Sequence, residues 1–380
     1  MTAPDVVVVG GGPIGLAAAI AVRQRGLDVL VVDRAQPPID KPCGEGVMPD
    51  GVATLNRLGV SCDFARALPF RGIRFTEAGC AADGQFPAGH GLGVRRTILH
   101  QRLIDRAAEA GVAMRWGESV RVVDSSGVEI GGRKTPCRWV VGADGRESSV
   151  RRWAGLRAPA KMRRRIGMRQ HFRVAPWTDF VEVHWHDYGQ AVVTPVASDE
   201  ICVSLFANVG GLRVPELIAL YPELERRLAD ARPTSAARGA ISSSCVMRTV
   251  VSDRVALIGD AAGAVDAITG EGMSLGFKHA IALADALADD NLPRYQRAHR
   301  RISRMPERMA RLMLAVGGRR SLRRRVLVAL AAQSRLFSFM LGMHTGSLSL
   351  RAAPIGSAAR FVRDLMTGVS VANERFTAGL

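Results

Sequence analysis

Residues 6–15, Val6-Val7-Val8-Val9-Gly10-Gly11-Gly12-Pro13-Ile14-Gly15, leave the chain few ways to begin folding. Four valines predict a buried strand, and the glycines end it in a tight turn. Leu16 to Val22 is alanine-rich and predicts a helix; Leu30 to Val32 predicts a second strand, closed by Asp33. The early glycines let backbone N–H groups approach a pyrophosphate at the helix N-terminus. Gly15 lets helix and strand pack closely, and Asp33, 18 residues beyond it, is placed to accept from a ribose hydroxyl. The expectation is a parallel α/β sheet with a dinucleotide bound by Gly10, Gly12, Pro13, Ile14, Gly15, Asp33 and the adjoining Arg34.

Two more stretches have the form of strand-end turns. Trp139-Val140-Val141-Gly142-Ala143-Asp144-Gly145 is one, and Val255-Ala256-Leu257-Ile258-Gly259-Asp260 is the other. After small residues, Gly270-Glu271-Gly272-Met273 opens a helix through about Leu287. Each aspartate alone reads equally well as a turn former. In this order the three stretches resemble the flavoprotein family of p-hydroxybenzoate hydroxylase and the geranylgeranyl reductases, over about the first 290 residues.

That resemblance implies FAD, with NAD(P)H as a transient reductant; no second glycine fingerprint follows a strand. It places Asp144, Gly145 and Gly259 beside the cofactor and Asp260 on a ribityl hydroxyl. The amides opening the Gly270–Met273 segment would face the flavin pyrimidine edge. Arg96 would lie near the phosphates, with Arg95 a weaker candidate. The implied fold is a Rossmann-like FAD-binding domain with an inserted antiparallel-sheet substrate domain and a helical C-terminal region. The boundaries read as 1–75, 93–155 and 250–290 for the first, 76–92 and 156–249 for the second, and 291–380 for the third.

The texture between the flavin motifs agrees. Ile166–Val174, Phe180–His186, Ala191–Pro195 and Ile201–Ala207 alternate like antiparallel strands. A helical segment near Val214–Ala231 and a strand near Ser244–Val250 follow. At 380 residues and 47% hydrophobic content the chain is long enough for several substructures and is not a disordered composition. Six cysteines without metal-like spacing, and no basic leader before the valines, predict reduced thiols in the cytoplasm. No apolar run reaches the roughly 18 residues a spanning helix needs.

Charge is concentrated at one end. Asn291 to Leu380 carries seventeen arginines against three acids, much of the total net charge of +17. Arg301, Arg304, Arg308 and Arg311 fall at helical spacing. After Gly317-Gly318 come Arg319, Arg320 and Arg323–Arg325, then apolar Val326 to Ala332. Such helices suit either a solvated cap or peripheral contact with the inner membrane face. Few aromatics interleave, which argues against nucleic acid.

The reaction is less legible. Lys41-Pro42-Cys43-Gly44-Glu45-Gly46 looks like the cysteine-glycine segment of geranylgeranyl reductases, so Cys43 and Gly44 would line the flavin cavity. Packing beside a glycine turn is the plainer reading of Cys43. Glu45 is a candidate proton relay or a solvated loop acid. Those reductases carry a tyrosine-x-tryptophan-x-phenylalanine-proline pattern, and Tyr188–Pro195 lacks its tryptophan and phenylalanine. The paired-tryptophan motif of flavin-dependent halogenases is also missing. In the hydroxylase branch, Thr194-Pro195 would be a proline turn over the flavin face, and His171 would face the substrate or pair within the sheet. His184 and His186 share a strand face without a third ligand, so no metal is expected. Resemblance to the hydroxylase branch implies NAD(P)H- and O2-dependent hydroxylation of a hydrophobic aromatic or polyketide-like substrate. Reduction of isoprenoid double bonds is the alternative, and flavin binding without turnover a third.

Overall fold

The structure is a computed structural model that describes residues 3–124, 127–158, 164–208 and 210–367. Its first sheet runs in the order Val251–Ser252, Val255–Leu257, Trp139–Gly142, Val6–Val9, Val29–Asp33, Ala113–Trp116. All neighbours are parallel except the Val251–Ser252 edge. Val6–Val9 sits in the middle and is buried on both faces, as an unbroken valine run requires. Helices Pro13–Arg23, Arg96–Glu109 and Gly272–Ala288 pack together. A Cβ on Gly276 would stand 2.4 Å from Ile14, so a side chain there would push the first and last of these helices apart.

The second sheet takes the order Arg164–Arg173, Glu200–Ala207, Gly189–Ala197, Phe180–His186, Gly72–Glu77, Cys80–Gln85, with Arg238–Ser243 on the outer side of Arg164–Arg173. Phe180–His186 pairs in parallel with Gly72–Glu77, so that strand belongs to this sheet whole, across the 75/76 boundary suggested by sequence.

Two local expectations need correction, and a third is divided in two. Thr194-Pro195 is not a strand end, because the strand continues to Ala197. Pro195, which has no N–H for the ladder, sits beside a register shift between Pro195 and Ala197. The 214–231 segment is two short helices, Val214–Ile218 and Pro222–Arg227, since Pro222 cannot continue the first and instead opens the second. The 244–250 strand is reduced to Cys245–Val246, paired with Gly263–Ala264.

The C-terminal helices are Leu292–Gly317, Arg320–Ala332, Ser334–Thr345 and Ile355–Thr367, with the break at Gly317-Gly318 as expected. The first packs on Gly272–Ala288, where the buried Tyr295 hydroxyl donates to the Leu257 carbonyl at 2.8 Å. Arg301, Arg304, Arg308 and Arg311 lie exposed along its outer face. The next two pack on Cys80–Gln85, and Phe337 stacks on Phe75 at 5.0 Å. Among the described residues no single helix is long and apolar enough to cross a membrane. The pair Arg320–Ala332 and Ser334–Thr345, bent by 103°, covers the second sheet instead. One buried cation fastens this cover. Arg323 donates to both carboxylate oxygens of Glu77, to Asp187 Oδ1 at 2.8 Å and to the Gly317 carbonyl at 2.9 Å.

Candidate active site

The three glycine motifs converge at the carboxyl ends of the parallel strands. Gly12 caps helix Pro13–Arg23 in extended conformation, and Pro13 takes the first helical position, where its missing N–H costs nothing. Gly10 has φ +112°, and a Cβ on it would lie 2.4 Å from the Ala143 carbonyl oxygen; one on Gly15 would lie 1.9 Å from that of Gly10. The first and second motifs are therefore in backbone contact. Asp33 Oδ2 accepts from Gly11 N at 2.7 Å and Oδ1 from Ala35 N at 2.8 Å, so the acid also shapes the loop.

His100, absent from the sequence expectations, holds the same loop. Ile39 N donates to its Nδ1, so Nε2 carries the proton and donates to the Gly11 carbonyl at 2.7 Å. Burial holds His100 below the usual imidazole range, keeping it neutral.

Arg96 lies next to Gly12, and its Nε is buried without a partner, as a cation awaiting an anion would be. Arg95 is committed elsewhere, forking onto Glu200 at 2.8 and 2.5 Å. Asp144 takes the turn-former role with one carboxylate oxygen and leaves the other over. Its Oδ2 caps the helix Ser149–Trp153 through Ser149 N and Val150 N, and its buried Oδ1 has no partner. Asp260 is exposed at the mouth.

Arg96, Asp144 and Asp260 line one cavity of about 730 Å³, together with Arg34, Gly44, Gly145, Gly259, Gly270, Gly272 and Met273. It continues past Cys43, Glu45 and Thr194 into an apolar chamber between the second sheet and the C-terminal helices. Phe70, Phe75, Trp185, Met313, Leu330 and Phe337 are among its walls. Pro195 is buried in the strand beyond the cavity wall, its carbonyl facing Gly93.

Glu45 and His171, 126 residues apart, meet here. Glu45 is 1% exposed and held at φ +58°, a conformation costly for a residue with a side chain. Arg96 N donates to its Oε1 at 3.1 Å, and His171 Nε2 lies 2.6 Å from its Oε2. Arg169 Nη1 donates to His171 Nδ1 at 3.0 Å, which leaves the ring proton on Nε2, directed at Glu45. Ser235 Oγ is 2.8 Å from the same Nδ1, and Arg169 also grips Asp40 at 2.5 Å. His171 thus backs Glu45 and does not itself line the cavity.

Glu45, His171 and Cys202 bring three ligand-type atoms within 4.8 Å of one another. Both imidazole nitrogens already have partners and a guanidinium sits on the ring, an arrangement that repels a cation. His184 is paired with Glu182 at 3.3 Å. Burial pushes the Cys43 thiol above its ordinary range, so it stands as a neutral thiol accepting from Glu45 N at 3.4 Å.

Residues 3–202 match a protein family described as FAD binding domain. The chain belongs to that FAD-binding family. A menaquinone reductase of Mycobacterium tuberculosis is 30% identical over 322 residues, covering 76% of this chain and 78% of that protein. A ubiquinone hydroxylase of Rhodospirillum rubrum is 28% identical over 313 residues, covering 74% and 72%. In fold, a flavoprotein/dehydrogenase from Cytophaga hutchinsonii superposes with a TM-score of 0.82 at 17% identity, covering 96% of this chain and all of that one.

The free Arg96 Nε, the free Asp144 oxygen and the Cβ-excluding glycine cradle fit FAD. Helix Gly272–Ala288 opens on the same cavity, with Glu271 as its N-cap. Burial, then the neighbouring Asp50 charge, pushes Glu271 well above the usual carboxylate range. His344 Nε2 lies 3.1 Å from Glu271 Oε1, and burial takes that imidazole down to about 4. Both shifts favour the neutral forms, which weakens any carboxylate charge opposing the positive end of the helix that would face the flavin.

The flavoprotein cradle yields a direct test. Gly12 has ordinary φ (−69°), and a Cβ there meets only Arg96 Nη2, at 3.8 Å. Gly12→Ala is expected to fold normally but bind FAD about tenfold or more weakly, because the methyl enters the pyrophosphate cradle. Flavin absorbance after dialysis measures it; retained yellow protein would mean the pyrophosphate lies elsewhere.

Proposed function

We propose that this flavoprotein is a hydroxylase that uses NAD(P)H and O2 on an aromatic ring bearing a long apolar tail. The observation that carries the reading is the single cavity, polar at the FAD cradle and Glu45, apolar and aromatic beyond. A ring would lie at the polar end with its tail in the chamber. Two relatives act, by name, on quinones, one by hydroxylation and one by reduction, which supports a lipid-tailed ring in either chemistry.

Bound FAD would supply hydride acceptance and oxygen activation. The chain's own residues do the rest. Glu45 faces the cavity and can take the proton of a ring hydroxyl, which makes the ring electron-rich at the moment of attack. His171 holds the carboxylate in place through its Nε2–H, and Arg169 keeps the imidazole in that tautomer. The apolar walls keep water from the reacting atoms.

Cys43 favours a second reading, reduction of a double bond in the tail, because its neutral thiol lies on the cavity wall. One experiment separates the two. The purified enzyme is incubated with NADPH and an alkylated phenol or a prenylated quinone, with and without oxygen. The hydroxylase consumes O2 and adds one oxygen to the substrate mass. A gain of two hydrogens in strict anaerobiosis would replace it with the reductase.

A further inference from the structure

Helix Ile355–Thr367 is amphipathic the wrong way round for a helix that only packs on its neighbours. Its buried face carries Ser357 and Asp364 with half-buried Phe361, whereas Ile355, Val362 and Met366 are 80%, 53% and 78% exposed. The intervals of seven and four residues put these three side chains in one stripe, opposite Ser357 and Asp364. Leu350, just before the helix, is 73% exposed and extends the apolar surface. Exposed Arg351, Arg360 and Arg363 lie on the same short segment, and Arg324 and Arg325 are exposed on helix Arg320–Ala332, against which it packs.

Within the basic run 319–325, Arg323 is buried in the clamp to Glu77 and Asp187, while Arg324 and Arg325 stay exposed. The outward apolar stripe lies farther on. Helix Arg320–Ala332 lends Val326 and Leu330 to the chamber wall and also packs against helix Ile355–Thr367. The exposed stripe is thus one helix away from the apolar cavity.

We propose that residues 350–366 form a membrane-docking surface, in which Leu350, Ile355, Val362 and Met366 enter the headgroup–acyl boundary of an anionic bilayer. Arg351 and the exposed arginines of the adjoining helix face its lipid headgroups. An outward apolar stripe with exposed arginines on its own segment and on the adjoining helix, and with so few acids, matches a negatively charged lipid surface in both hydrophobicity and charge. The inference holds whichever reaction the flavin performs.

The FAD-loaded protein is mixed with vesicles of phosphatidylcholine, alone or with phosphatidylglycerol, and floated on a density gradient. Binding is expected to the phosphatidylglycerol vesicles, falling as salt is raised. The double variant Ile355→Asp/Met366→Asp should float about tenfold less or weaker still, since each change removes the burial of a large apolar side chain. Its flavin absorbance should be unchanged, which shows the fold intact. Equal flotation of that variant, or equal binding to pure phosphatidylcholine, would overturn the proposal. So would a concentration-dependent dimer abolished by the same variant without vesicle binding, which would make the stripe a contact between copies.

Discussion

Glu45→Gln is expected to lower turnover by about a hundredfold to ten-thousandfold, the range for removing a positioned acid–base group, while FAD occupancy and fold are retained. The amide keeps the shape and can still accept from Arg96 N, which is 3.1 Å from Oε1 in the native protein. It cannot take a proton from substrate, and it cannot receive the His171 Nε2–H as a charge-assisted bond. His171→Gln should lose nearly as much, because Glu45 would keep its charge but lose the partner at 2.6 Å that aims it. The double variant should be little worse than either single one, since the pair acts as a unit. Steady-state product formation is the measurement, with flavin absorbance as the control. Full turnover in Glu45→Gln would reduce Glu45 to a loop residue whose positive φ serves only the turn.

Arg323→Met should destabilise the C-terminal cover by about 3 kcal/mol, the lower end for removing one partner of a buried ion pair. Glu77 loses both of its donors and is itself largely buried; Asp187 is half-exposed and recovers water. The Gly317 carbonyl, freed where helix Leu292–Gly317 ends, loses a donor as well. Arg323→Lys should recover only part, because an ammonium cannot fork onto Glu77 while reaching Asp187 and the carbonyl. Thermal unfolding, with limited proteolysis across residues 317–345, would show whether the cover opens before the flavin domain melts. An unchanged melting profile would mean that the stacking of Phe337 on Phe75 and its neighbours holds the cover without the clamp.

The sequence by itself determined the cofactor half of this protein. Val6–Val9, the glycines to Gly15, Asp33, Gly142–Gly145 and Gly259-Asp260 were legible because each motif is local. A strand ending in a glycine turn must expose amides, and a turn that excludes a Cβ is written in its own residues. Four strands of the second sheet, Arg164–Arg173, Phe180–His186, Gly189–Ala197 and Glu200–Ala207, were legible for the same reason, as period-two alternation. The strand at Pro195 was misjudged where one residue competes with a pattern, and Pro222 divides the expected helical segment in two.

Tertiary structure alone decided the part of the cavity beyond the cofactor motifs. Glu45 and His171 are separately ambiguous, and only the placement of the strand Arg164–Arg173 against the loop after Asp40 makes them a pair. Arg95 and Arg96 are adjacent and chemically identical, yet packing spends one on Glu200 and leaves the other's Nε free beside Gly12. The arginines of the tail divide in the same way, with Arg323 inside and Arg324 and Arg325 outside. A charge, a thiol or an imidazole acquires its role from what lies within about 4 Å of it. In this chain several of those neighbours come from distant segments, as Glu200 for Arg95, Glu45 for His171 and Glu77 for Arg323.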